Sequence, residues 1–239
     1  MNNYKDYIKT IDDNAHLISM VPVQELLRFA YEAGLNEESK VLDLCCGYGT
    51  LLKIWNEAFG INGVGVDRES YFINVGKERL EKSGADGVRL VCEEVTVYRD
   101  NEKYDVVICS ETIGSIADTL KLGEKFLKTG GMLAYQKLYS KVAEPPEELV
   151  EFDYEVLPLS ELNRIFNENG YYLTVIASDN DSTWEKYVTA SNRGDIERLI
   201  KDPSDTDLRE DIDYWYNMYF NYRRPYEGQA LFGLRKVFD

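Results

Sequence analysis

The chain has 239 residues, 44% of them hydrophobic, and a formal net charge of −16. This length allows one well-buried α/β domain with an appendage and is short for two independent domains. The acidity argues against nucleic acid as a partner, because a polyanion needs a basic face, and no apolar run approaches the ~18 residues of a membrane span.

The predicted elements begin with helices and continue as a regular alternation. Apolar residues recur at helical spacing within residues 3–33, with a second helix predicted from Val23 to Tyr31. Strands are then predicted at residues 41–44, 61–67, 88–92, 104–109 and 130–138, and helices at 50–59, 70–83 and 116–127. This alternation predicts a mostly parallel sheet with helices on both faces and a ligand outside the carboxyl ends of the strands.

The alternation loosens after residue 138. Pro145 and Pro146 belong to an acidic stretch that we interpret as a surface linker. Ser160 is placed to cap a helix over residues 161–169, because its hydroxyl can accept a hydrogen bond from an N–H of the first turn.

Two more strands are predicted near the carboxyl-terminal end, at residues 171–178 and 230–236. The residues between them contain Trp184 and Trp215 on segments with helical spacing. We therefore expect residues 179–228 to form a helical cap on the ligand edge of the sheet.

Cysteine usage and the amino-terminal sequence bear on the compartment. None of Cys45, Cys46, Cys92 and Cys109 has the CxxC spacing of a zinc site, so no metal site is predicted. We expect them to be reduced, small, buried thiols. The first residues carry no apolar stretch of the signal-peptide kind, and a cytoplasmic location is expected.

The most informative stretch is a strand, a glycine turn and a helix. Gly47 and Gly49 follow the apolar run that starts at Val41, and this arrangement directs backbone N–H groups toward a ligand. Asp67 ends the second predicted strand, where a carboxylate can accept both hydroxyls of a ribose. That feature suits either NAD or S-adenosylmethionine (SAM). Leu52 occupies the third glycine place of the dinucleotide pattern G-x-G-x-x-G, which disfavours NAD.

The same stretch resembles the cofactor loop of class I SAM-dependent methyltransferases, acidic-x-Gly-x-Gly-x-Gly. Asp43 stands in the acidic place and Cys45 in the place of the first glycine. Leu127-Lys128-Thr129-Gly130-Gly131 resembles the family's turn before strand five, with threonine in place of proline. The resemblance runs from about residue 38 to residue 138, with four motifs in order.

The resemblance implies a Rossmann-like class I methyltransferase fold, with a seven-stranded, mostly parallel sheet whose last strand is antiparallel. It implies one methyltransferase domain over residues 1–239. The core would comprise residues 37–178 and 229–239, with residues 1–36 as an amino-terminal helical cap segment and residues 179–228 as a helical insertion. The chain resembles a branch of the family, the bacterial small-molecule methyltransferases, that has a helical insertion before the last strand.

The resemblance also implies SAM as cofactor and S-adenosylhomocysteine (SAH) as product. The implied cofactor-binding residues are Asp43, Cys45, Gly47, Gly49, Asp67, Arg68, Glu93, Glu94, Val95, Cys109 and Ser110. Glu94, with Glu93 as the fallback, is expected at the adenine amino group. The backbone of Cys109 and Ser110 is expected at the methionine amino group. Arg68 either lies beside the adenine or is simply exposed.

The acceptor side is less defined. Glu111 and His16 are the candidates for removing a proton from the acceptor, although Glu111 also suits a helix start and His16 a structural role. Candidate acceptor-site residues are Tyr4, Tyr7, Tyr139, Trp184 and Trp215.

The leading hypothesis is methyl transfer to a small molecule, at nitrogen or oxygen rather than carbon or sulfur. A cationic amine is favoured by the aromatic residues in acidic surroundings. No membrane partner is expected, and a monomer or a homodimer fits the sequence equally well. The alternatives are a SAM-binding sensor or partner protein without catalysis, and an NAD-dependent oxidoreductase.

Overall fold

The computed structural model describes residues 17–152 and 156–238. Its strands are β1 (Lys40–Leu44), β2 (Asn62–Asp67), β3 (Val88–Cys92), β4 (Tyr104–Cys109), β5 (Leu127–Ser140), β6 (Tyr171–Ser178) and β7 (Glu227–Lys236). Its α-helices of six residues or more are α1 (Val23–Glu32), α2 (Thr50–Phe59), α3 (Ser70–Ser83), α4 (Ile116–Glu124), α5 (Glu147–Phe152), α6 (Leu159–Glu168), α7 (Asp181–Lys201) and α8 (Thr206–Met218).

The strands form one seven-stranded sheet in the order β3-β2-β1-β4-β5-β7-β6. Neighbouring strands from β3 to β5 pair in parallel, and β7 is antiparallel to both β5 and β6. The strand order reverses between β1 and β4, and ligands of open α/β sheets bind at such a point. The predicted Rossmann-like sheet with an antiparallel last strand is confirmed.

Both faces of the sheet are covered, as the alternation predicted. Tyr135 and Phe232 pack on one face with Phe166 of α6, while Phe29 of α1 and Trp55 of α2 belong to the core on the other face. The rings of Phe29 and Trp55 stack with centroids 6.0 Å apart. Two apolar layers therefore fix the sheet, and the carboxyl ends of its central strands stay open to a ligand.

The structure differs from the sequence-based expectation in the second half of the chain. Pro158, and not Ser160, occupies the N-cap position of α6, because the helix already begins at Leu159. The acidic stretch after Pro146 forms helix α5 and is not simply a linker. The first predicted helix, within residues 3–16, lies outside the described residues.

Strands β5 and β7 are longer than predicted because they pair continuously. Their register runs from Met132 opposite Arg235 to Ser140 opposite Glu227.

The cysteines are free, but Cys92 is exposed, so the expectation of buried thiols is wrong for that residue. Across the described part of the chain, the helices are too short or too polar to cross a membrane.

The helical insertion is joined to the sheet by a charged and aromatic cluster. After α8, a π-helical turn at Tyr219–Arg223 brings the Arg223 guanidinium between two rings, 5.1 Å from the centroid of Phe152 and 5.0 Å from that of Trp184. Its Nε donates to the fully buried carboxylate of Glu227 in β7. A buried carboxylate needs such a cation, so this pair ties the insertion to the sheet.

Replacing Arg223 should therefore destabilise the protein. We expect Arg223→Ala to lower the free energy of unfolding by about 3 kcal/mol or more, because Glu227 loses a buried cationic partner and two rings lose a stacked group. Urea denaturation measures this change. The matched control is Arg198→Ala, which removes an exposed pair with Asp195 and should cost under about 1 kcal/mol. Equal losses in the two variants would contradict the assignment.

Candidate active site

The glycine turn between β1 and α2 is built from residues with positive φ angles. Cys45, Gly47 and Gly49 have φ of 64°, 54° and 69°. Cys45 thus adopts the backbone conformation that glycine adopts most readily, at the place where the family pattern has its first glycine. A Cβ atom on Gly49 would lie 2.6 Å from Leu90 Cδ2, and the substituted residue would have to adopt a positive φ, so glycine is favoured at the start of α2.

The carboxylate of Asp67 holds this turn in place. It lies at the end of β2 and is 8% exposed. Oδ2 accepts the N–H of Gly47 at 2.8 Å, and Oδ1 accepts the N–H of Glu69 at 2.9 Å. Each carboxylate oxygen has a second lone pair, so Asp67 retains the capacity to accept the hydroxyl groups of a ribose. The side chain therefore fits the role expected for it.

Asp43 is a second buried carboxylate at the same edge. It is 2% exposed, and the Ser110 hydroxyl donates to its Oδ1 at 3.0 Å. Burial raises the pKa of Asp43 to about 7, with a further contribution from the charge of Asp67, while the bond from Ser110 opposes the change. A positively charged group beside it would favour the ionised form. Asp43 and Ser110 thus suit an ammonium group.

A cavity of about 510 Å³ opens at this edge of the sheet. Nine of the sequence-predicted residues line it: Asp43, Cys45, Gly47, Asp67, Arg68, Glu94, Val95, Ser110 and Glu111. The strand ends therefore bring together residues that are up to 68 positions apart in the chain (Asp43 to Glu111).

The two adjacent glutamates after β3 differ in position. Glu94 lines the cavity, and its Oε2 lies 3.6 Å from the Arg68 guanidinium. Glu93 is exposed and is not among the lining residues. The Arg68 side chain also lines the cavity and is 71% exposed, which fits the exposed alternative, and its place beside the adenine stays a prediction.

Other predicted site residues lie away from the cavity. Trp184 is 1% exposed and packs with Met20 and Tyr219, while Tyr139 packs against the ring of Phe232. Trp215 packs edge-on against Phe152, with ring centroids 5.6 Å apart.

Of the remaining predicted residues, two are described by the structure but do not line the cavity, and three lie outside the described residues. Cys109 is buried behind the cavity, and burial raises the pKa of its thiol. Gly49 is the N-cap residue of α2 and is not among the residues that line the cavity. Tyr4, Tyr7 and His16 lie outside the described residues.

One wall of the cavity was not predicted from the sequence. Leu17, Ile18, Ser19 and Gln136 line it, and a Cβ on Gly47 would lie 2.8 Å from Ile18 Cδ1. The Gln136 amide donates to the Ile18 carbonyl at 3.3 Å across 118 positions of sequence. No local pattern signals such a contact. The nearest available signal was a polar residue, Gln136, near the carboxyl end of an otherwise largely buried strand.

The electrostatic character of the cavity is acidic. Asp43, Asp67, Glu69, Glu94 and Glu111 contribute carboxylates to its described lining, and Arg68 contributes a guanidinium. Carboxylates concentrated at low-dielectric walls raise the local concentration of cations. Among the residues that the structure describes, no group of three or more His, Cys, Asp or Glu side chains is arranged to hold a metal ion.

A cavity with buried carboxylates at the switch point of a Rossmann-like sheet is typical of proteins that bind a nucleoside-containing cofactor. A family model described as a methyltransferase domain matches residues 35–195. The chain therefore belongs to this methyltransferase family. It is a class I SAM-dependent methyltransferase with SAM as its cofactor, which confirms the resemblance and leaves the NAD alternative without support.

Two relatives are similar to this chain in sequence, and one of them is a methyltransferase. The uncharacterized Escherichia coli protein YjhP is 27% identical over 208 residues, which cover 82% of this chain and 84% of the relative. A Staphylococcus aureus demethylmenaquinone methyltransferase is 25% identical over 60% of this chain and 72% of the relative.

A similar solved structure is a SAM-dependent methyltransferase from Geobacter sulfurreducens in complex with SAH. Its TM-score is 0.83 and its sequence identity 26%, over 97% of this chain and 98% of that one. A SAM-dependent methyltransferase from Thiobacillus denitrificans, also with SAH, has a TM-score of 0.84 at 23% identity, covers 95% of this chain and 98% of its own, and supports the fold.

The buried carboxyl of Asp43 makes a prediction about stability. Its pKa rises from 3.8 to about 7 on folding, so ionisation opposes folding progressively between these two pH values. We expect Asp43→Asn to stabilise the cofactor-free protein at pH 8 by on the order of 3 kcal/mol, and the gain to vanish near pH 4. Thermal unfolding across this pH range measures the difference. Asp86→Asn, at an exposed carboxylate, is the control, and a gain independent of pH would contradict the assignment.

Proposed function

We propose that this enzyme transfers the methyl group of SAM to a nitrogen or oxygen atom of a small-molecule acceptor within the described cavity. The observation that carries the proposal is that Glu111, Thr112 and Ile113 line the same cavity as Asp43 and Ser110. A cavity of about 510 Å³ lies in the range of small-molecule sites, which supports a small-molecule acceptor.

In this proposal the cofactor lies along the strand ends. Asp67 accepts the ribose hydroxyls, and Glu94 accepts the adenine amino group, with the N–H of Val95 at a ring nitrogen. Asp43, through its contact with Ser110, supports the methionine amino group. Arg68 pairs with Glu94 and lies at the rim. Support comes from the lining of the cavity by all of these residues.

We further propose an acceptor that carries an amine. The five lining carboxylates outnumber the guanidinium of Arg68, and part of this charge complements the sulfonium and ammonium groups of SAM. Glu111 lies on the loop after β4, next to the residues proposed for the methionine end of the cofactor. It is therefore the carboxylate placed to attract a cationic acceptor.

The reaction is an in-line displacement. A protonated amine first gives a proton to a base, which frees the lone pair of its nitrogen. That lone pair then forms the new bond as the bond between sulfur and the methyl carbon breaks, and SAH leaves with the electron pair of the broken bond. Alignment of donor and acceptor can supply about 7–11 kcal/mol of the barrier reduction. Glu111 is the proposed base among the described residues, and His16 stays a second candidate. A cytoplasmic monomer or homodimer without a nucleic-acid partner completes the proposal.

The test is transfer of a labelled methyl group from SAM to a panel of small amines, alcohols, carboxylates and thiols. A quinone of the demethylmenaquinone type belongs in the panel because one relative is named for that acceptor. We expect amines to be methylated most efficiently, with hydroxyl compounds next. Transfer confined to carbon or sulfur acceptors would overturn the acceptor proposal. Tight SAH binding with no transfer to any acceptor would favour a sensor or partner protein.

Replacing Glu111 separates catalysis from cofactor binding. We expect Glu111→Gln to lower kcat about 10²-fold or more, because the neutral amide cannot take up the acceptor's proton. The dissociation constant for SAH should change less than about threefold, since Glu111 is not assigned a bond to the cofactor. Steady-state kinetics and calorimetry give the two quantities.

The matched control for this prediction is Glu78→Gln, an exposed glutamate on α3 whose carboxylate lies 3.9 Å from Lys82. It should leave both quantities unchanged. A Glu111→Gln variant with full kcat would show that another group removes the proton.

A further inference from the structure

Both backbone polar groups of Met20 are held by side chains that are distant in sequence. Its N–H donates to Gln229 Oε1 at 2.7 Å, and its carbonyl accepts the hydroxyl of Thr183 from α7. The Ser19 hydroxyl also donates to Gln229 Oε1, at 3.2 Å. One oxygen atom of β7 therefore holds two consecutive residues across about 210 positions of sequence.

The residues just before Met20 form the cavity wall that was not predicted from the sequence. Leu17, Ile18 and Ser19 line the cavity, and Ile18 lies directly over Gly47 of the glycine turn. Gln136 provides one further bond to this segment, at the Ile18 carbonyl. These polar contacts with the sheet, together with the packing of Leu17 and Met20, place the wall over the cofactor loop.

Gln229 itself does not line the cavity and is 8% exposed. Its backbone is held by Asp179, which lies between β6 and α7. Asp179 Oδ2 accepts the Gln229 N–H at 3.0 Å, and the Asp179 N–H donates to the Gln229 carbonyl at 2.9 Å. The Met20 N–H and the Ser19 hydroxyl both donate to Gln229 Oε1, so the side chain at this position must carry a hydrogen-bond acceptor. An apolar side chain of the same length would leave the buried N–H of Met20 without that bond.

We propose that Gln229 is a positioning residue for cofactor binding: by holding Ser19 and Met20, it fixes Leu17, Ile18 and Ser19 as a wall of the SAM cavity. Gln229 acts through this segment and makes no contact with the cofactor itself. The inference rests on the binding of SAM and is independent of which acceptor the enzyme methylates.

The first test compares two substitutions of Gln229 by calorimetric titration of the full chain with SAH. Gln229→Met keeps the length and removes the acceptor, and we expect a five- to tenfold rise in the dissociation constant. Gln229→Glu keeps an acceptor oxygen but adds a charge beside Asp179, so its affinity should lie between that of the parent protein and that of Gln229→Met. A Gln229→Met variant with unchanged affinity, or a Gln229→Glu variant as weak as Gln229→Met, would overturn the proposal.

The second test asks whether Gln229 acts through the wall. Ile18 is 48% exposed, so Ile18→Ala should fold normally while weakening SAH binding several-fold by removing the contact over the glycine turn. In that background, Gln229→Met should add less than about twofold, because residues acting through one element are coupled. Persistence of the full five- to tenfold effect would show that Gln229 acts by another route and would refute the assignment.

Discussion

The site depends on the two hydrogen bonds accepted by Asp67. One carboxylate holds the N–H of Gly47 from the loop after β1 and the N–H of Glu69 from the loop after β2. These bonds join the ends of β1 and β2 into one rigid edge. They are strong because the Asp67 carboxylate that accepts them is charged and buried. The carboxylate that shapes the cavity is also the one proposed for the ribose.

The sheet could be predicted because its signals are local. Buried parallel strands have apolar runs, helices have a 3.6-residue period, and left-handed turns need glycine, so β1, β2 and the turn at Gly47 were found from short windows of sequence. The wall at Leu17, Ile18 and Ser19 could not be found this way. It is placed by Gln136 and Gln229, whose contacts span more than 100 residues and leave no periodic pattern.

The insertion illustrates a second limit. Trp184 was expected near the acceptor because large aromatic residues often line binding sites. It is instead buried against Met20 and Tyr219, with Arg223 over its ring. Aromatic composition predicted a cap but not the direction of each ring. The Trp184 ring is held by two contacts that leave no local sequence pattern: its indole N–H donates to Asp179, and Arg223 lies over its face. The same aromatic side chains serve here to anchor the insertion.

The thiol of Cys45 has a chemical consequence for a site that handles an alkylating agent. Cys45 lines the cavity, where a thiolate would compete with the acceptor for the electrophilic methyl group of SAM. Burial, together with the charges of Asp67 and Asp43, raises its pKa to about 12, so the sulfur stays protonated and weakly nucleophilic at neutral pH. Burial and the neighbouring carboxylates thereby keep the population of the nucleophilic Cys45 thiolate low.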